Sequence, residues 1–182
     1  MSPRLHLLMP CAYPERLPAL LPSYTTAMEP HAWELRIHIL LQGPDADPKG
    51  ILKVNECLEE IRGDGGWFMT PSDDTIQHPA LFRRMGEELA QNPDAVAIVV
   101  GQERRDGLGN LFACPEQVRI GRIDGMQTCW NRAWIKQERY EWEKWGMFCD
   151  GEFAVRMFAR APQRFIFIPE MLTRHNSLEW AA

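Results

Sequence analysis

The chain has 182 residues and a formal net charge of −5, from 20 basic and 25 acidic side chains. That length fits one domain, and a hydrophobic content of 45% supplies a sizeable core and argues against disorder. The acidic balance lacks the basic face that a nucleic-acid binder needs, and no apolar run approaches the roughly 20 residues of a membrane span.

Residues 4–9 read as a first strand, ended by Pro10. This opening apolar stretch is short and broken by His6, so it is not read as a signal peptide. Residues 14–28 place Leu17, Leu20, Leu21 and Tyr24 at helical spacing, with Pro14 at the start and Pro30 forbidding continuation. A second strand spans 33–41, with Ile37, Ile39 and Leu41 on one face, and 42–50 is a loop by composition. Residues 51–61 form an amphipathic helix carrying Leu52, Asn55, Leu58 and Ile61, stopped by the glycines of 63–66. The third strand, 67–70, climbs out of those glycines and leads to two adjacent carboxylates, Asp73 and Asp74. A buried strand delivers acids in this way to the carboxyl end of a sheet, where open α/β folds bind their ligands. Two carboxylates there suit a hard divalent cation and its phosphate company.

A helix is expected over 79–92, with Leu81, Phe82, Met85 and Leu89 inward, and a turn over 92–94. The apolar run 95–100 has the composition of a strand covered on both faces. Beyond it, 101–115 reads as a loop or irregular hairpin, 118–123 as a strand, 132–136 as a short helix and 150–160 as a helix. Residues 164–168 and 171–174 are short strand candidates. Strands and helices alternate through the first hundred residues. That order predicts an α/β fold with a mostly parallel twisted sheet, right-handed crossovers and helices on both faces. Five scattered cysteines, Cys11, Cys57, Cys114, Cys129 and Cys149, form no Cys-x-x-Cys pair. A reduced, cytoplasmic protein without a zinc site is the expectation. Of seven tryptophans, Trp130, Trp134, Trp142, Trp145 and Trp180 fall late. They suit core packing or a platform for the C–H faces of sugar rings.

Several pieces in order carry a resemblance. The first strand ends in Met9-Pro10-Cys11-Ala12-Tyr13-Pro14-Glu15-Arg16, and the second in Gln42-Gly43. Lys53-Val54-Asn55 precedes Gly63-Asp64, and Pro71-Ser72-Asp73-Asp74 precedes Pro79. Ile123-Asp124-Gly125-Met126-Gln127 is followed by Asn131-Arg132, then by Cys149-Asp150-Gly151-Glu152-Phe153 and Leu172-Thr173-Arg174-His175-Asn176. From Leu5 to about Asn176 the chain resembles glycosyltransferase family 2, enzymes of the GT-A fold that use nucleotide-diphosphate sugars. Two departures stand: Pro71 replaces the first acid of the family's Asp-x-Asp, and Gln42 replaces an acid after the second strand.

The resemblance implies a single GT-A-like domain over 1–182, with a nucleotide-binding half over about 1–100 and an acceptor-side half over about 101–182. It implies an inverting transfer from a nucleotide-diphosphate sugar, UDP-sugar favoured, to a glycan, lipid-linked or small-molecule acceptor. Mn2+ or Mg2+ would be held by Asp73 and His175. Pro10, Tyr13, Gln42, Lys53, Asn55, Ser72 and Asp73 would form the nucleotide site, with Tyr13 stacking on the base and Gln42 bonding to it. Asp150 would be the general base, with Asp124 in reserve, and Trp130 and Arg132 would face the acceptor. A positioned base contributes about 10²–10⁴-fold in rate.

Each residue also has a plainer role open to it. Asp73, Asp74 and Asp150 suit helix N-caps. His175 suits a surface or capping position, Tyr13 packing under the first loop, Lys53 and Asn55 a solvated helix face, and Arg132 a surface ion pair. At the level of function, a nucleotide-sugar-binding protein with little turnover competes with the transferase. A dinucleotide oxidoreductase lacks its GxGxxG turn, and metal-assisted phosphoester hydrolysis at Asp73, Asp74 and His175 needs more ligands than the sequence supplies.

Overall fold

The computed structural model describes residues 3–28, 33–42, 50–105, 107, 109–136 and 138–175. Pro30, most of the loop after the second strand, Asn176 and Trp180 lie outside the described residues. In chain order the elements are β1 (Arg4–Cys11), α1 (Leu17–Met28), β2 (Glu34–Leu41), α2 (Ile51–Glu60), β3 (Trp67–Met69), β4 (Thr75–Gln77), α3 (Leu81–Gln91) and β5 (Ala97–Arg104). After a long irregular stretch come β6 (Thr128–Asn131), α4 (Arg132–Ile135), α5 (Trp142–Trp145), α6 (Cys149–Arg160) and β7 (Phe165–His175). No helix among the described residues is long and apolar enough to cross a membrane.

The strands form one seven-stranded sheet in the order β2-β1-β3-β6-β5-β7-β4. Helices cover both faces, as the alternating pattern predicts. On one face Leu5, Leu7 and Met9 of β1 and Ile98 and Val100 of β5 pack with Leu20 and Tyr24 of α1 and Leu81, Phe82 and Met85 of α3. On the other, Leu8, Phe68, Val99 and Trp130 pack with Val54 and Leu58 of α2 and Phe153 and Met157 of α6. The two-sided burial explains why β1 and β5 read as near-continuous apolar runs. The glycines before β3 have a steric cause at Gly66, where φ is 79° and a Cβ would stand 2.6 Å from the Arg4 carbonyl oxygen.

The sheet is mixed, which corrects the mostly parallel expectation. Parallel pairs join β1 to β2 and β3, and β5 to β7, whereas β6 runs antiparallel to both β3 and β5, and β4 antiparallel to β7. A parallel partner needs a helical crossover. β6 is reached instead through an irregular stretch, so its direction is free to reverse.

Four further corrections follow from local chemistry. The strand expected over 118–123 is a run of turns, with Gly121 at φ 77° and the Arg122 amide bonding the Arg119 carbonyl. The two short strands expected near the end are one, β7, whose register against β5 shifts around Gly101. There the Glu170 carbonyl oxygen lies 2.7 Å from where a Cβ of residue 101 would stand, so a bulge carries Pro169 past β5 without breaking it. β5 continues to Arg104, into the stretch expected as a loop or irregular hairpin, where Gln102 bridges Leu111 antiparallel. β4, unanticipated, pairs with the end of β7 and places Thr75 opposite His175.

Candidate active site

A cleft of about 760 Å3 opens at the carboxyl ends of β1 and β3. One wall carries the loop after β1, the segment 70–74 and the ends of β5 and β7. The other carries the turns around 121–126 and the start of α6.

On the first wall Asp73 is nearly buried, at 7% exposure. Its Oδ2 accepts the backbone N–H groups of Ala12 and Tyr13, both at 2.7 Å. The carboxylate therefore fixes the loop that presents Tyr13, whose ring is 49% exposed with the Arg16 guanidinium 4.1 Å from its centre. Neither Asp73 nor Asp74 caps the following helix, because the N-cap of α3 is Ala80. Both amides use one oxygen of Asp73, which leaves Oδ1 outside that arrangement.

Asp74 Oδ1 accepts from the Ser72 hydroxyl and lies 3.3 Å from His175 Nε2. Burial pushes the Asp74 carboxyl up, but the bonds from His175 and Ser72 outweigh it and the net direction is down. Burial likewise disfavours the charged imidazole of His175, and the bond to Asp74 overrides it, so that pKa is raised. The register of β5 and β7 sets Arg104 opposite His175, and both line the cleft.

On the second wall Asp150 stands in the first turn of α6, past the N-cap position, which Phe148 occupies without a side-chain cap bond. Its Oδ2 accepts the Gly125 N–H at 3.0 Å and its Oδ1 the Gly151 N–H at 2.7 Å. Burial, reinforced by the neighbouring Asp124, pushes its pKa up to about 7 against those two bonds. Asp124 is raised by burial as well. Its Oδ1 accepts the Met126 N–H at 3.0 Å while Gln127 Oε1 accepts the Asp124 N–H at 3.0 Å, a capping box on the turn Gly125–Gln127. Glycine is required at 125 because a Cβ would stand 2.7 Å from Thr70 Oγ1 and 3.5 Å from Asp150 Cβ.

Of the residues singled out in the sequence, Pro10, Tyr13, Gln42, Ser72 and Asp73 line the first wall. Asp124, Asp150 and His175 complete the group. Four others are placed elsewhere. Lys53 donates to the Leu41 carbonyl. Asn55 clamps the backbone of Tyr140, its Nδ2 donating to the carbonyl at 2.9 Å and its Oδ1 accepting the N–H at 3.0 Å. Arg132 is buried and donates to the carbonyls of Leu58 (2.8 Å) and Lys136. Trp130 is buried edge-on against Phe153 and Phe165. Trp130 and Arg132 are both buried and neither lines the cleft, Trp130 being part of the second core layer and Arg132 held by backbone carbonyls. The reading missed Arg104, Tyr140 and Phe148. Arg104 was hidden by ending β5 too early, whereas Phe148 stands only two positions before Asp150.

Among the described residues no group of three or more His, Cys, Asp or Glu side chains is placed to hold a metal. The remaining oxygen of Asp73 suits a cation that brings most of its ligands as phosphate oxygens, the usual habit of Mg2+.

No protein-family model and no curated protein matches the chain. Solved structures do. S. aureus TarS 1-349 superposes with a TM-score of 0.65 at 10% identity, covering 94% of this chain and 60% of that one. S. aureus TarS gives a TM-score of 0.68 at 11% identity, covering 94% of this chain and 36% of that one. A glycosyltransferase involved in the glycosylation of the major capsid of PBCV-1 gives a TM-score of 0.56 at 11% identity, covering 95% and 92%. The chain thus spans less than two thirds of each TarS structure and nearly all of the PBCV-1 enzyme. At these identities the likeness is one of fold: a GT-A-like α/β domain of the kind found in glycosyltransferases.

Proposed function

We propose that the protein is a glycosyltransferase of the family 2 type, moving a sugar from a nucleotide-diphosphate sugar to an acceptor hydroxyl with inversion. The observation that carries this reading is Asp150, a cleft carboxyl whose pKa is pushed up to about 7, lining one cleft with Asp73, His175 and Arg104. A base works best with a pKa near the working pH, and Arg104 in the same cleft offers positive charge to a diphosphate. Asp150 takes the acceptor's proton. The acceptor oxygen bonds to the anomeric carbon as that carbon's bond to the diphosphate breaks, and the electron pair leaves with the phosphate.

Charge develops on the leaving diphosphate, and preorganised cations stabilise it where it forms. Arg104 lines the cleft as a cationic group, and beside it in register is His175, whose imidazolium form burial disfavours but the bond to Asp74 favours more. Mn2+ or Mg2+, held by Asp73 together with the diphosphate, would supply further charge neutralisation. Tyr13 offers its exposed ring to the base of the nucleotide, UDP favoured. Gln42 offers an amide, and Pro10 and Ser72 wall the site. A glycan, a lipid-linked sugar or a small molecule would serve as acceptor, in a cytoplasmic setting.

A second reading, a nucleotide-sugar-binding protein with little turnover, draws on Pro71 in place of an acid and on the structural duty of Asp73 Oδ2. Calorimetric titration of UDP with and without Mn2+, followed by assays of UDP-sugar hydrolysis and transfer, separates the two. We expect Mn2+ to tighten UDP binding in the native protein and not in Asp73→Asn. Asp150→Asn should bind UDP normally and turn over about 10²–10⁴-fold more slowly. Tight UDP binding with neither hydrolysis nor transfer supports the second reading, and no binding of any nucleoside diphosphate rejects both.

A further inference from the structure

Phe148 is 47% exposed although it is a large apolar side chain, and it lines the same cleft as Asp150. It closes the short turn Gly146–Phe148 directly ahead of α6, two positions before Asp150. The ring stands near bare backbone: a Cβ on Gly121 would lie 3.9 Å from Phe148 Cε1. Burying such a ring is favourable, so a half-exposed phenyl in a concave site beside a carboxyl is poor packing and good ligand chemistry. Asp150, Asp124 and Tyr140 line the same cleft. An aromatic face in one cleft with carboxyl and hydroxyl groups matches a polyhydroxylated ring with one apolar face.

We propose that Phe148 is the platform for a saccharide acceptor, its ring receiving the C–H face of a pyranose while one sugar hydroxyl reaches Asp150. The assignment of that hydroxyl as nucleophile rests on the transferase reading; saccharide binding at Phe148 does not. In the step itself the hydroxyl proton goes to the Asp150 carboxylate. The new oxygen–carbon bond forms at the donor's anomeric carbon as the bond to diphosphate breaks.

Saturation-transfer NMR on the full chain tests this, with methyl glycosides of glucose, galactose, mannose and N-acetylglucosamine at millimolar concentration. Native protein, Phe148→Ala and Phe148→Trp are compared, and UDP is titrated in parallel. We expect saturation at the sugar ring protons with the native protein and Phe148→Trp, and at least about a fivefold loss with Phe148→Ala, with UDP affinity changed less than about twofold. Equal signals from Phe148→Ala and native protein overturn the proposal, as does the absence of signal from every glycoside. A Phe148-dependent signal from decanoate or a serine-containing peptide in place of the glycosides also overturns it. Phe148-dependent sugar binding without any UDP binding keeps the platform and removes the transferase reading.

Discussion

Asp150 shows how a residue is tuned by what it is denied. The N–H groups of Gly125 and Gly151 favour its charged form, yet burial and Asp124 push its pKa up to about 7. The sign of the consequence is fixed. A base acts only when deprotonated, so kcat should rise with pH through about 7 and level off above it. Removing the Asp124 charge removes one cause of the elevation, so Asp124→Asn should move that limb to lower pH. Asparagine can still accept the Met126 N–H, which preserves the turn. A pH–rate profile of the two proteins decides the matter: an unmoved limb would show that the neighbouring charge is not what raises Asp150. The same shift bears on stability. A carboxyl whose folded pKa exceeds its unfolded value makes the fold lose stability as pH rises between those two values. Removing Asp150 should flatten that part of the stability curve. The sequence made Asp150 visible as an acid at a helix start. It could not show the buried neighbour 26 positions upstream, because pKa depends on tertiary company. Asp73 was visible for the same reason, and its duty to the Ala12 and Tyr13 amides was hidden for the same reason.

Elements were legible in proportion to their length and period. β1, α1, β2, α2, α3, β5 and α6 carry enough apolar repeats to announce themselves. β4 and β6 have three and four residues, too few for a period to register, whereas β3, equally short, was marked by the glycines before it and the acids after it. The helix face of α2 misled in a different way. Asn55 fits a ribose contact or a solvated face by composition, whereas it clamps both backbone groups of Tyr140 and so holds a cleft-lining side chain from behind. Asn55→Ala leaves the Tyr140 N–H and carbonyl without that partner. Urea unfolding should show a loss of about 1–3 kcal/mol, with UDP affinity changed by less than the effect on stability would suggest. A large loss of UDP affinity at unchanged stability would return Asn55 to the nucleotide site.

At the scale of the molecule, chain order and sheet order part company. Residues 1–100 supply the alternating pattern that predicts a parallel sheet, yet β6, from the later part, is inserted between β3 and β5. β3 and β5 do not touch as neighbours without it. β5 also loses β7, its other partner, when the chain stops early. The cleft is divided in the same way, with Asp73 on one part of the sequence and Asp124, Asp150 and His175 on the other. The earlier and later parts of the sequence therefore share one sheet. A fragment of residues 1–105 would expose both edges of a fully apolar strand, Ala97–Val100, and the open side of β3. Exposed apolar edges pair with other chains. The full chain should unfold in urea in a single cooperative step, whereas the fragment should show no cooperative transition and should aggregate on concentration. Circular dichroism and sedimentation measure both outcomes. Cooperative unfolding of the fragment as a monomer would mean that β1, β2 and β3 with their helices form a core of their own, and that the antiparallel insertion of β6 is an addition to the fold and not its keystone.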